Sequence, residues 1–187
     1  MTRAAILETP VTRRARGWDA DEALEQLYAA HWRSLVRLAV LLLHDQAAAE
    51  EVVQDSFIAV HGRWGQLRDP DRALAYLRQT VVNRARSALR RRTVADRYLT
   101  AQRQVVASEQ AGTHLPDDHA RRDLVLSALR ELPDRQREVI ALRYYLDLSE
   151  AQIADTLGIS CGAVKSHASR GVAALREQLA EVWEEQP

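Results

Sequence analysis

From Asp21 onward the apolar positions fall into helical steps. Leu24, Leu27, Tyr28, His31, Leu35, Leu38 and Leu42 recur every three or four residues, the spacing that lines up one face of an α-helix. Asp45 stands where a second helix needs a cap, with Ala49, Val52, Val53, Phe57 and Val60 on its inner side. Gly65 and Pro70, in "RWGQLRDPDR", break the pattern. Pro70 and Asp71 then suit the start of a third helix, with Leu74, Leu77, Val81, Ala85 and Ala88 along one side. The spacing predicts a three-helix unit over residues 21–92.

Residues 1–20 show little periodicity and read as a mobile tail. Between 93 and 119 the periodicity weakens again, and "ASEQAGTHLPDDHA" is polar, with Gly112 and Pro116. This stretch reads as a linker, helical in its first part around "TVADRYLTAQRQVV". A second unit follows over residues 120–182. Its helices are "RRDLVLSALREL", "PDRQREVIALRYYLDL" with Pro133 and Asp134 at the start, "SEAQIADTLG" capped by Ser149, and "SCGAVKSHASRGVAALREQLAEVW" capped by Ser160. The expected fold class is all-α: two small helical domains joined by a flexible linker, the second containing a helix-turn-helix.

That motif rests on a coincidence of residue types. Ala154 is small where two helices cross closely, and Gly158 can take the positive φ of a tight turn. Ile153, Leu157, Ile159 and Val164 are apolar where the helices pack. Lys165, Ser166, Ser169 and Arg170 are left facing outward on adjoining turns. Lysine and arginine donate to guanine edges or phosphates, and serines contact either. The plainer reading is a helical hairpin with a polar outer face; the joint presence of small residue, glycine, cap and basic face favours DNA binding.

Charge refines this picture. The 187 residues carry a formal net charge of zero, which argues against a uniformly basic coat. The charges are nevertheless segregated. Asp45, Glu50, Glu51 and Asp55 form an acidic stretch, and Arg84, Arg86, Arg90, Arg91, Arg92 and Arg97 a basic one. Opposite patches suit two different partners, or two solvated helix faces. The single cysteine, Cys161, has no internal disulfide partner. No signal peptide and no apolar run near about 18 residues is seen. The chain is therefore expected to be cytoplasmic, with no membrane insertion.

The stretches "AAAEEVVQDSFIAVHGRW", "ALAYLRQTVVNRARSALRRR" and "LRELPDRQREVIALRYYLDLSEAQIADTLGISCGAVKSHASRGVAALRE" together resemble the extracytoplasmic-function (ECF) sigma factors of bacterial RNA polymerase, in particular the actinobacterial members. The resemblance covers roughly residues 21–92 and 120–180, with three motifs in order. It implies that the first unit grips core polymerase and opens the minus-10 element, and that the second reads the minus-35 element. Glu50, Glu51, Gln54 and Asp55 match the polymerase-binding face; carboxylates and an amide on one face suit arginine partners. "RWGQLRDPDR" matches the loop that captures a flipped base, which draws attention to Trp64 and Arg68. Tyr76, Arg78, Asn83, Arg84 and Arg86 match the helix that meets minus-10 DNA. Trp64 is also a natural loop-packing residue, and Tyr76 fits a core equally well.

On the second unit the resemblance places the minus-35 contacts on Ser160, Lys165, Ser166, Ser169 and Arg170, with Ser160 at a helix N-terminus suited to a phosphate. His167 falls where many members carry arginine. Cys161 is expected to be a small buried or half-buried residue. The resemblance further implies core RNA polymerase, promoter DNA and an anti-sigma factor as partners, and a monomer when free. No Gly-rich phosphate loop is present and the six histidines share no ligand spacing, so neither enzyme chemistry nor a cofactor or metal is expected. The alternative from a different class is a self-sufficient helix-turn-helix repressor or response regulator. It would bind DNA alone, as a dimer.

Overall fold

The computed structural model describes residues 20–66, 72–102 and 118–183. Residues 1–19 of the expected 1–20 tail, Arg68 in the loop, and the middle of the expected linker at 103–117 lie outside the described residues, while Ala20 already belongs to the first helix. The described part is helical throughout: α1 Ala20–Leu43, α2 Gln46–His61, a short 3-10 turn Trp64–Gln66, α3 Ala73–Gln102, α4 Asp118–Glu131, α5 Asp134–Ile140, α6 Glu150–Leu157 and α7 Cys161–Trp183.

Helices α1 and α2 join at a two-residue corner. His44 takes φ 56° and its N–H donates to the Val40 carbonyl at 2.8 Å, ending α1. Asp45 then caps α2, its Oδ1 accepting from the Ala48 N–H at 2.9 Å. Ala49, Val52, Val53, Phe57 and Val60 are all buried, as their spacing predicts. Tyr28 is not: it is 47 % exposed, stacked on Trp32 at 4.7 Å with Phe57 at its edge. A tyrosine satisfies the helical period while keeping its hydroxyl in water. Helix α3 continues ten residues past Arg92 because no glycine or proline interrupts residues 73–102.

In the C-terminal unit, α5 passes directly into a π-turn over Ala141–Tyr145 instead of running on as one α-helix. The Leu146 N–H reaches back to the Ala141 carbonyl at 3.3 Å, a five-residue step. Ser149 and Gln152 form a reciprocal capping box at the start of α6. Gly158 ends that helix at φ 66°. Ser160 caps α7, accepting from the Ala163 N–H at 3.1 Å. Gly171 allows a close approach: a Cβ there would lie 2.9 Å from Ile140 Cγ1.

The two units share one core. Leu35, Leu38, Leu42, Leu77, Val81 and Val82 from the first belong to the same buried cluster as Val139, Leu142, Ile153, Leu157 and Val164 from the second. Helix α6 packs on α3, while α5 and the π-turn pack on α1. Arg137, 7 % exposed, ties the seam. Its guanidinium donates to the carbonyls of Leu129, Arg130 and Leu132 around the end of α4, and to Leu42 at the end of α1. One charged side chain thereby satisfies carbonyls that two helix C-termini leave over.

Candidate polymerase and nucleic-acid interfaces

The outer side of α2 carries Glu50, Glu51, Gln54 and Asp55, all exposed. Their exposure follows from register, since Val52, Val53, Ser56 and Phe57 take the inner side. Glu50 accepts from Gln46 Nε2 at 2.5 Å. Asp55 pairs with Arg84 of α3 at 3.0 Å, and Asp45 pairs with Arg92 at 2.6 Å. Because α2 and α3 pack side by side, the acidic and basic stretches partly neutralise each other. Hydrogen bonds from the Ala48 N–H and from Arg92 hold the Asp45 carboxyl below its ordinary range.

Between the end of α2 and α3 lies an open groove of about 650 Å³. Helix α3 lines it with Tyr76, Gln79, Thr80, Asn83, Arg84 and Ser87, and α2 and its end with Ala59, Gly62 and Arg63. Arg63 Nη1 donates to the Tyr76 hydroxyl at 3.0 Å. The structure therefore gathers Tyr76, Asn83 and Arg84 from the residues expected to meet minus-10 DNA. It does not gather Trp64, Arg78 or Arg86. Trp64 is partly buried against the core. Arg78 is half-buried near His31, whose pKa is lowered by burial and then by the Arg78 charge. Arg86 points to the second unit and makes a two-bond pair with Glu138, at 2.5 and 2.8 Å.

Gln79, Thr80 and Ser87 are the groove residues that the sequence reading passed over. A signal for them exists. Positions 76, 79, 80, 83, 84 and 87 form an unbroken three-and-four stripe of polar-tipped side chains, the complement of the apolar stripe through Leu77, Val81 and Ala85. Arg63 has no such signal, because it follows the end of α2.

On α7, Lys165, Ser166, Ser169 and Arg170 are exposed while Val164 and Ala168 are buried. Arg170 Nη2 donates to Ser166 Oγ at 2.7 Å. Lys165 Nζ stands 3.6 Å from Glu150, which also faces Arg143 at 3.5 Å. A shallow cleft beside this face is lined by Arg143, Tyr144, Lys165, Ser169, Val172 and Arg176. His167 is half-buried, its Nδ1 enclosed without a hydrogen-bond partner. Cys161 corrects the expectation of burial: it is exposed, because it opens α7 on the outer side, and the first inward position of that helix is Val164.

Residues 27–94 match the family described as Sigma-70 region 2, and residues 122–175 match Sigma-70, region 4. The chain is 33% identical over 150 residues to the RNA polymerase sigma-E factor of Streptomyces avermitilis, covering 78% of this chain and 79% of that one. It is 35% identical over 185 residues to the ECF RNA polymerase sigma factor SigL of Mycobacterium tuberculosis, covering 90% and 97%. Among solved structures, CnrH in complex with the cytosolic domain of CnrY aligns with a TM-score of 0.64 at 28% identity, covering 87% of this chain and 95% of that one. The sigma factor RpoE of Bartonella quintana, in complex with the anti-sigma factor NepR, shares the fold at a TM-score of 0.68 and 23% identity, covering 85% and 98%. A helix-turn-helix behind a region 2 unit decides against the self-sufficient repressor: the chain belongs to the ECF sigma factors, which direct RNA polymerase to promoters.

Proposed function

We propose that this sigma factor meets its promoters through two separate faces and holds core polymerase through a third. The observation that carries the reading is the polar stripe of α3. Tyr76, Gln79, Thr80, Asn83 and Arg84 line one open groove, with an aromatic ring, amides and a guanidinium suited to unstacked bases and their phosphates. The exposed face of α7 reads the minus-35 element, with Ser160 at the helix N-terminus and Lys165, Ser166, Ser169 and Arg170 toward the groove of the DNA. Glu50, Glu51, Gln54 and Asp55 dock on core polymerase.

Arg68 and Trp64 belong to the proposed minus-10 side through the loop they share. Arg86 joins it only after its present partner Glu138 is exchanged, and Arg78 only after it leaves its half-buried position. The factor performs no covalent chemistry; the polymerase does. It acts in the cytoplasm, consistent with the lack of any membrane-spanning helix among the described residues. An anti-sigma factor controls it, a reading supported by the similar sigma factor RpoE, whose structure holds the anti-sigma factor NepR.

Run-off transcription with purified core polymerase and a promoter library tests the assignment. Alanine at Asn83 or Thr80 is expected to relax preference at minus-10 positions only. Alanine at Lys165 or Arg170 is expected to do so at minus-35 positions only. Shifted preference at the opposite element would move the assignments.

A further inference from the structure

The two cations on the exposed side of α7 have unequal surroundings. Arg170 donates to the Ser166 hydroxyl at 2.7 Å and to the Ser166 carbonyl at 3.3 Å, both uncharged. Lys165 Nζ stands 3.6 Å from Glu150 Oε2. The other oxygen of that carboxylate, Oε1, stands 3.5 Å from Arg143 Nη1 on the π-turn. One carboxylate of α6 thus faces two cations from two other elements, and both cations line the shallow cleft beside α7. The start of α6 does not explain this. The Ser149–Gln152 box already closes that helix end. The helix dipole favours an acid in the first turn, but that role needs no neighbouring cation.

The consequence lies in what Lys165 can still bind. An ammonium has three donors, and at 3.6 Å it is drawn by the charge of Glu150 without being tied by a hydrogen bond. A guanine edge is neutral, so its N7 and O6 can approach Lys165 while Glu150 stays in place. A DNA phosphate is an anion. To reach Lys165 it must approach the carboxylate beside it, against like-charge repulsion. Among the described residues no carboxylate pairs with Arg170, which is open to a phosphate.

We propose that Glu150 is a specificity-determining residue of the minus-35 contact. Its carboxylate beside Lys165 makes that lysine the reader of a guanine edge and leaves the phosphate contact to Arg170. This rests on the assignment of α7 to the minus-35 element and deepens it, through a residue that lies outside α7.

Holoenzyme made with each variant is titrated onto a promoter duplex and onto the same duplex with a scrambled minus-35 element, over a series of salt concentrations, beside selection on a minus-35 library. Lys165→Ala is expected to relax preference at one guanine position with the salt slope unchanged. Glu150→Gln keeps the shape and removes the charge. It is expected to tighten binding to the scrambled duplex roughly threefold to fivefold, the scale of a half-exposed pair. The salt slope there should steepen by about one as Lys165 turns to a phosphate, and preference at the guanine should fall. Both gains should vanish in Glu150→Gln/Lys165→Ala. Asp155→Asn, which removes another exposed carboxylate of α6, is expected to change neither. Circular dichroism checks that each variant keeps its helices. If Lys165→Ala relaxes a minus-35 position while Glu150→Gln leaves affinity and slope unchanged, the role of Glu150 is overturned and α7 remains the reading helix. The same holds if Lys165→Ala lowers the slope as a phosphate holder would, or has no effect where Arg170→Ala does. It holds again if Asp155→Asn or the double variant reproduces the full Glu150→Gln effect. If neither Lys165→Ala nor Arg170→Ala touches minus-35 preference, the assignment of α7 fails and the role of Glu150 fails with it.

Discussion

The cations of the first unit and those of the second are held on different terms. On α3, Arg84 sits on Asp55, Arg86 on Glu138 and Arg92 on Asp45. On α7, Arg170 bonds only to Ser166 one turn back, and Lys165 stands at the limit of ion-pair distance from Glu150. The difference comes from packing. Helix α3 has α2 on one side and the second unit on another, so carboxylates are brought to its arginines. Helix α7 packs on α4, α5 and α6 and leaves the side that carries Lys165, Ser166, Ser169 and Arg170 exposed. On the proposed assignment, DNA would replace existing partners on α3 but meet nearly free cations on α7. The replacement is cheap at Arg84 and Arg92, whose half-exposed pairs are worth about 0–1 kcal/mol. It is dearer at Arg86, whose partner is buried.

The largest expected effect lies where an internal pair and a proposed interface share one residue. Asp55→Arg should cost about 2–5 kcal/mol in affinity for core polymerase. The free chain should lose under about 1 kcal/mol of stability, because the Asp55–Arg84 pair is exposed. Direct titration with core, beside a thermal melt, separates the two. Unaltered core affinity would take α2 out of the interface.

Arg137→Ala probes the braced side. It leaves the carbonyls of Leu42, Leu129, Arg130 and Leu132 short of donors and should destabilise the chain by about 2–4 kcal/mol. A guanidinium chloride midpoint within error of the parent would mean that water replaces the guanidinium at no cost.

On the free side the expectation reverses. Lys165→Ala and Arg170→Ala should each shift stability by less than about 0.5 kcal/mol. In holoenzyme one of the two should cost about 1–3 kcal/mol at a single minus-35 position. The other should weaken all promoters alike and reduce the salt slope by about one. They lie on one broad face but not in line, so they do not serve one base pair. If neither substitution touches minus-35 preference, α7 is not the reading helix.

The smallest effect is a pH dependence at the seam. Burial, and then the charges of Arg137 and Arg130, lower the His44 pKa to about 4. Between that value and the unfolded value near 6.5 the unfolded chain binds more protons than the folded one. The contribution of His44 is thus complete above pH 6.5 and is lost as pH falls toward 4. After discount for its half-exposed side chain, about 1 kcal/mol is expected. His44→Asn keeps a residue tolerant of the left-handed φ and should flatten stability over that window. An identical pH profile in the two proteins would place the dependence elsewhere.

Much of this organisation is legible along the chain because its causes are local. Asp45, Ser149 and Ser160 cap helices through hydrogen bonds that span three residues. Gly158 marks a left-handed turn, and the buried positions of α2 follow the helical period. The exposed face of α7 emerges by subtraction, as what remains after Val164 and Ala168 turn inward. The polar stripe of α3 was legible too, once the apolar stripe beside it was assigned.

What the tertiary structure alone decided is every relation between residues distant in sequence. Arg86 and Glu138 are 52 positions apart, and Arg137 and the Leu42 carbonyl 95. Nothing in the local pattern distinguishes Arg86, engaged at the seam, from Arg84, two residues away on the groove. Periodicity shows that a face is apolar without saying which other face covers it. The outer surfaces of α1 and α3 could meet water, polymerase or the second unit equally well on pattern alone. Only the packed arrangement, in which α6 covers α3 and α5 covers α1, decides which arginine is buried and what it holds, because that choice is made by the summed contacts of two domains and not by any one segment.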